Sequence, residues 1–191
     1  MLMDTFLLGY LLFVTTQFIR EFFVRRGKEA KSLHMGQYDK LSSVLTASYI
    51  LIFSVLPILL KYKNAGFIYE FQKIGVVGLI IMIIGMVIHF LSMITLGKFF
   101  TRTLTITNNH SIVCSGIYRK IRHPGYTGTI LFGVGFGIAS YNWILFSFIS
   151  LLLVLIYSYR INTEEKMLLE HFGNEYKNYK AESWQLIPYI I

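Results

Sequence analysis

Residues 71–96 read FQKIGVVGLIIMIIGMVIHFLSMITL, and after Lys73 the stretch runs to Leu96 without a charge. About 20 consecutive apolar residues span a bilayer core as a helix. This run meets that length and has no polar stripe to turn toward water. Elsewhere the chain repeats the pattern. Over its 191 residues it is 54% hydrophobic, with mean hydropathy +0.56, which points to burial in lipid. Further spans are expected at about Met3 to Ile19, and at about Leu41 to Leu60 with Pro57 near its end. The block from Tyr126 to Tyr159 is too long for one span. It carries 139-ASYN-142 near its middle, a turn that splits it into a pair of helices, the first of them short. The expectation is an all-α integral membrane protein of about five transmembrane helices. Because the first apolar segment lacks a basic leader and a small-residue cleavage site, it is expected to stay in place as a span.

The net charge of +8 is carried by short segments flanking the apolar runs. Positive-inside topology explains it better than nucleic-acid binding does. Six Lys and Arg lie between Arg20 and Lys40, five between Gly97 and Gly125, and four after Tyr159. The Lys61–Glu70 connection holds two and the Ala139–Asn142 turn none. This alternation places the N-terminus outside, and the segments 98–125 and 160–191 together at the cytoplasmic face. The lone Cys114 and five scattered histidines give no metal spacing, so no metal is expected.

Between the third and fourth spans, 101-TRTLTIT-107 alternates and reads as extended, 108-NNH-110 as a turn and 111-SIVCSG-116 as a second extended piece. Then comes 119-RKIRHPGY-126. Topology needs only its cations. Pro124 removes an amide donor and turns His123 away from helix, so the backbone stays open where it meets the membrane and something must cover it. After the last span, 162-NTEEKMLLEHFG-173 reads as a helix capped by Asn162 or Thr163 and stopped by Gly173. Arg160 and Glu164 share a helical face, as an ordinary i,i+4 ion pair would. In 133-GVGFG-137, Gly133 and Gly137 indicate close helix packing and not a dinucleotide site, because no strand precedes them. His89, inside the third span, is either a functional ionisable group or a hydrogen-bonded core histidine.

Together, 110-HSIVCSGIYRKIRHPGY-126, 164-EEKMLLEHFGNEYKNY-179 and 187-IP-188 resemble, in order and spacing, the isoprenylcysteine carboxyl methyltransferase family. That family sits within a wider phospholipid methyltransferase-like group. The resemblance covers about residues 97–191 of a chain expected to be one membrane methyltransferase domain, 1–191. It implies a cytoplasmic-face pocket for S-adenosylmethionine, leaving S-adenosylhomocysteine as product. His110, Ser111, Ile112, Val113, Tyr118, His123, Pro124, Gly125, Tyr126 and Glu164 would bind the donor. Arg160 would be the catalytic residue that holds the substrate. The family's polar position upstream of His110 falls near Thr103, a poor match. The implied acceptor is lipophilic, enters from the bilayer among the membrane lipids and carries an isoprenylcysteine-type carboxylate. A lipid amine is the alternative acceptor, and a non-catalytic scaffold or transporter the alternative class.

The chemistry suits these residues. A sulfonium carrying an amino acid calls for a carboxylate and an aromatic or apolar wall, which Glu164, Tyr118 and Tyr126 offer. A carboxylate acceptor calls for a guanidinium that can hold it by two hydrogen bonds.

Overall fold

The computed structural model describes residues 4–26, 32–34, 39–101, 104, 106–107 and 110–189. Six helices carry the fold: α1 (Thr5–Arg26), α2 (Asp39–Lys63), α3 (Gly75–Leu96), α4 (Pro124–Ala139), α5 (Trp143–Phe172) and α6 (Asn174–Glu182). A 3-10 segment, Tyr69–Ile74, leads into α3, and another, Gly116–Arg119, precedes α4. The strands among the described residues are β1 (Ser32–His34) and β2 (Ile106–Thr107), an antiparallel pair. Of the expected extended stretch 101–107, Ile106 and Thr107 are strand, and Thr101 and Leu104 are not. Residues 102, 103, 105, 108 and 109, including Thr103 and most of the expected NNH turn, lie outside the described set. Residues 111–115 are irregular and join neither strand.

Three helical stretches are long and apolar enough to cross a membrane: Val44–Lys63, Tyr69–Phe99 and Trp143–Phe172. Large apolar side chains such as Leu51, Ile94, Leu151 and Leu155 point outward and are exposed. A helix apolar all round belongs in lipid or deep inside protein, and no described residue covers these outer faces. At 16 residues, α4 is about 24 Å long, short as expected.

Glycine determines how α4 sits. A Cβ on Gly85 of α3 would lie 2.5 Å from the Phe132 amide nitrogen, and one on Gly128 of α4 would lie 2.6 Å from the Gly85 carbonyl oxygen. Backbone therefore packs on backbone between α3 and α4. Gly133 and Gly137 make room for α5, Gly133 against the Leu153 and Ile149 side chains and Gly137 against the Phe146 backbone, the close helix packing the sequence indicates. The bundle centre is filled by Phe13, Phe53, Phe136, Met82, Leu145 and Ile149.

The Ala139–Asn142 turn is where the sequence puts it. Tyr141 has φ 42°, and the Asn142 side chain caps α5 by accepting from the Leu145 amide at 3.0 Å. One expectation fails: no new helix starts at Asn162 or Thr163. Instead α5 runs 30 residues without a break, because nothing from Tyr159 to Glu164 interrupts its hydrogen-bond ladder. The Thr163 hydroxyl donates back to the Tyr159 carbonyl at 2.9 Å and caps nothing. Gly173, at φ 55°, does end the helix.

Candidate functional site

At the end of the bundle where α5 projects past the apolar region, one cavity of about 420 Å³ opens. The 110–126 loop, α3, α5 and α6 wall it. His110, Ser111, Ile112, Val113, Tyr118, His123, Gly125, Tyr126, Arg160 and Glu164 all line it. Pro124 does not: it is buried behind the wall as the first residue of α4. Segments far apart in sequence thus meet at one face.

The open backbone before Pro124 is covered by the C-terminal segment. The Arg122 amide donates to the Trp184 carbonyl at 2.8 Å, the His123 amide to Gln185 at 3.1 Å, and the Trp184 amide returns to Lys120 at 2.8 Å. Farther along, the Thr127 hydroxyl donates to the Leu186 carbonyl at 2.8 Å. Buried backbone donors need such partners. Residues 184–186 therefore act as a strap that holds the HPGY loop in shape.

Beneath the strap lies Glu165. It accepts from Arg122 Nε at 2.9 Å, from His123 Nε2 at 3.3 Å and from Gln185 at 3.4 Å, and pairs with Lys180 Nζ at 2.5 Å. Glu165 and Arg122 side chains are each only 8% exposed. This carboxylate joins α5, the loop, α6 and the strap. Its neighbour Glu164 turns the other way, into the cavity, where its Oε2 accepts from the Tyr126 hydroxyl at 2.6 Å. That hydroxyl in turn accepts from Arg160 Nε at 2.8 Å, giving a chain Arg160–Tyr126–Glu164 across the cavity wall. The His123 ring lies parallel to Tyr126, centroids 5.4 Å apart, and fixes its orientation.

The remaining walls are aromatic. His110 stacks on Phe99 at 4.6 Å. Burial holds its imidazole pKa below the usual value, and the nearby His171 adds to the effect, so it stands neutral and ring-like. The buried Tyr118 hydroxyl meets Ser92 Oγ at 3.0 Å. Burial pushes its pKa well up, which keeps it protonated. Tyr179 donates to the Tyr118 carbonyl at 2.6 Å, anchoring the loop to α6.

Several cavity residues are not apparent from sequence alone. Ser92 lies one helical turn after His89 on the same face of α3, a spacing that could have flagged it. His89 Nδ1 lies 3.0 Å from the Gly125 carbonyl, and its Nε2 is buried without a partner among the described residues. Thr46 of α2 and Arg20 of α1 reach the cavity from helices whose sequence carries no motif. Tyr176 of α6 also lines it and is buried. Its only sequence signal is the 172-FGNEYKNY-179 element.

The family model for isoprenylcysteine carboxyl methyltransferases matches residues 77–170. A rice (Oryza sativa subsp. indica) protein named probable protein-S-isoprenylcysteine O-methyltransferase is 35% identical over 123 residues, 63% of this chain and 64% of the relative. In Arabidopsis thaliana, protein-S-isoprenylcysteine O-methyltransferase A is 28% identical over 167 residues, 84% of each chain. The solved structure of a eukaryotic intramembrane Ras methyltransferase of this family superposes with TM-score 0.59 at 24% identity, over 78% of this chain and 48% of that one. That likeness is one of fold. The match to the rice relative spans just under two thirds of its length. The chain is thus similar, over just under half of its length by the family model and in its fold, to the isoprenylcysteine carboxyl methyltransferase family.

Proposed function

We propose that the chain is an integral membrane methyltransferase that uses S-adenosylmethionine to methylate the carboxylate of an isoprenylcysteine-type lipid acceptor. In this reading residues 1–191 form one domain and α1 to α5 are five spans. The N-terminus lies outside, and the cavity and C-terminal strap face the cytoplasm. The observation that carries it is the Arg160–Tyr126–Glu164 chain inside a cavity at the end of the spanning helices.

The cavity suits the donor. Its volume falls in the range of small-molecule sites, roughly 300–1,000 Å³. Two buried polar atoms in its walls, His89 Nε2 and the Tyr176 hydroxyl, have no partner among the described residues, a cost that a bound polar ligand removes. When bound, S-adenosylmethionine supplies an electrophilic methyl group on a sulfonium. Glu164 would take the donor's ammonium or ribose hydroxyls, with Tyr118, Tyr126 and the 110–113 segment as the wall around it. His123, Pro124 and Gly125 would hold that wall in place.

Arg160 would bind the acceptor carboxylate. Its Nε is committed to Tyr126, which aims the guanidinium, and its buried position strips water from the anion. Thr46 Oγ1, 3.4 Å from Arg160 Nη1, lies on the side of α2, from which a lipid tail could extend into the bilayer. A carboxylate needs no general base, so positioning and desolvation supply the rate.

The test is labelled methyl transfer to a panel of prenylcysteines and lipid amines, followed as a function of pH. Prenylcysteine turnover should stay flat from about pH 6 to 8, because a free carboxyl titrates near 3.3–3.7. Turnover of lipid amines alone, rising with pH, would reject the carboxylate reading. Absence of any transfer would favour a scaffold.

A further inference from the structure

The 172-FGNEYKNY-179 element ends α5, begins α6 and anchors the loop through Tyr179, and within it one group stands out. Tyr176 is 2% exposed, lines the cavity, and its hydroxyl has no hydrogen-bond partner among the described residues. Tyrosine hydroxyls buried in protein usually find one, and an unmet one costs stability. Where a phenylalanine would fill the same space, a tyrosine at this place carries a hydroxyl that no described residue engages.

The helix that carries it is held firmly. Tyr179 donates to the Tyr118 carbonyl, Lys180 pairs with Glu165, and Arg122 Nη1 donates to the Lys180 carbonyl at 3.1 Å. The Tyr176 ring is therefore fixed, and so is the direction of its hydroxyl. Burial pushes the Tyr176 pKa well above that of a free phenol, and Glu165 and Glu164 push in the same direction, so the group is an O–H donor at any physiological pH.

The cavity lining combines two chemistries: Arg160, Glu164 and Arg122 suit an amino acid and a carboxylate, and His110, Ile112 and Met167 suit a flat heterocycle. A phenol hydroxyl that donates has no use for the donor's ammonium, and suits a ring nitrogen or ribose oxygen. Tyr176 belongs to α6, which begins after α5 has left the apolar region, so it is remote from the bilayer route of a lipid.

We infer that Tyr176 is a binding residue for the nucleoside part of the methyl donor, its hydroxyl donating to a ring nitrogen or ribose oxygen that completes its hydrogen bonding. The inference rests on the proposed methyltransferase reading. It adds α6 to the site as a wall that recognises the nucleoside.

The test is calorimetry on the full chain in detergent, wild type against Tyr176→Phe. The probes are S-adenosylhomocysteine and methylthioadenosine, which keeps the nucleoside but lacks the amino acid. Tyr176→Phe should weaken both by roughly three- to tenfold, the effect of one neutral hydrogen bond. The ligand-free melting temperature should stay level or rise, because an unmet polar group has gone. Unchanged affinity for both probes overturns the inference. A loss for S-adenosylhomocysteine alone also overturns it, placing the hydroxyl at the amino acid end. A lower ligand-free melting temperature with binding intact would show that the hydroxyl serves the fold. Wild type that binds neither probe would sink the methyltransferase reading itself, and this inference with it.

Discussion

Two adjacent glutamates should fail in opposite ways when neutralised. Glu165 is enclosed by Arg122, His123, Lys180 and Gln185, and Arg122 is as buried as its partner. Removing one member of a buried ion pair costs about 3–5 kcal/mol. Gln at position 165 keeps one carbonyl oxygen for Arg122, which lowers the figure to about 2–3 kcal/mol. The Lys180 side chain is 46% exposed, so loss of its pairing adds at most about 1 kcal/mol. For a chain of this size 1 kcal/mol shifts melting by about 2–4 °C, so Glu165→Gln, at about 2–4 kcal/mol, should melt roughly 4–16 °C below wild type. Glu164 makes one inward hydrogen bond, to Tyr126, which the amide oxygen of Gln can still accept. Glu164→Gln should melt within about 2 °C of wild type, yet lose about 1.5–3 kcal/mol of donor affinity, roughly 10- to 150-fold. The assays are thermal unfolding in detergent and calorimetry with S-adenosylhomocysteine. If Glu165→Gln melts with wild type, or if Glu164→Gln is the destabilised variant and binds donor normally, the division of roles is wrong.

Arg160→Lys keeps the charge but loses the planar fork and the Nε bond to Tyr126. Carboxyl methylation should fall about 100-fold, the cost of misplacing a reactant by about 1 Å, with donor affinity within about threefold of wild type by calorimetry. His110 gives a pH test. Its imidazole is held below the ordinary value by burial first and by His171 second, so the unfolded chain takes up a proton there more readily. The stability it contributes is complete above about pH 6.5 and is lost as pH falls toward its lowered folded value. Melting of the ligand-free protein at pH 7.5 and 5.5 should show this loss, and His110→Phe should show less of it. Equal slopes would assign the effect to another group.

Much of the membrane plan was legible because it rests on local signals. Run length marks the spans, Gly133 and Gly137 mark a packing face, and Gly173 ends α5. The HPGY loop was legible as an open backbone, but its cover was not. The strap residues 184–186 meet Arg122, His123 and Thr127 about sixty positions away, through backbone groups that carry no sequence pattern. The expected cap at Asn162 or Thr163 misled for a related reason: capping residues are common, and only the fold shows that the ladder of α5 continues through them. The paired glutamates were visible as a pair. Which one faces the cavity depends on where Arg122 and Lys180 arrive, 43 residues before Glu165 and 15 after it.

The central claim is that the cavity walled by residues 110–126, α5 and α6 is the place where donor and acceptor meet. An experimental structure of the full chain with S-adenosylhomocysteine tests it most directly. The account predicts density for the whole ligand in that cavity, with Glu164 and Tyr176 within hydrogen-bond distance of it and the sulfur directed toward Arg160. Ligand bound outside the cavity, or bound within it with its sulfur turned away from Arg160, would contradict the account.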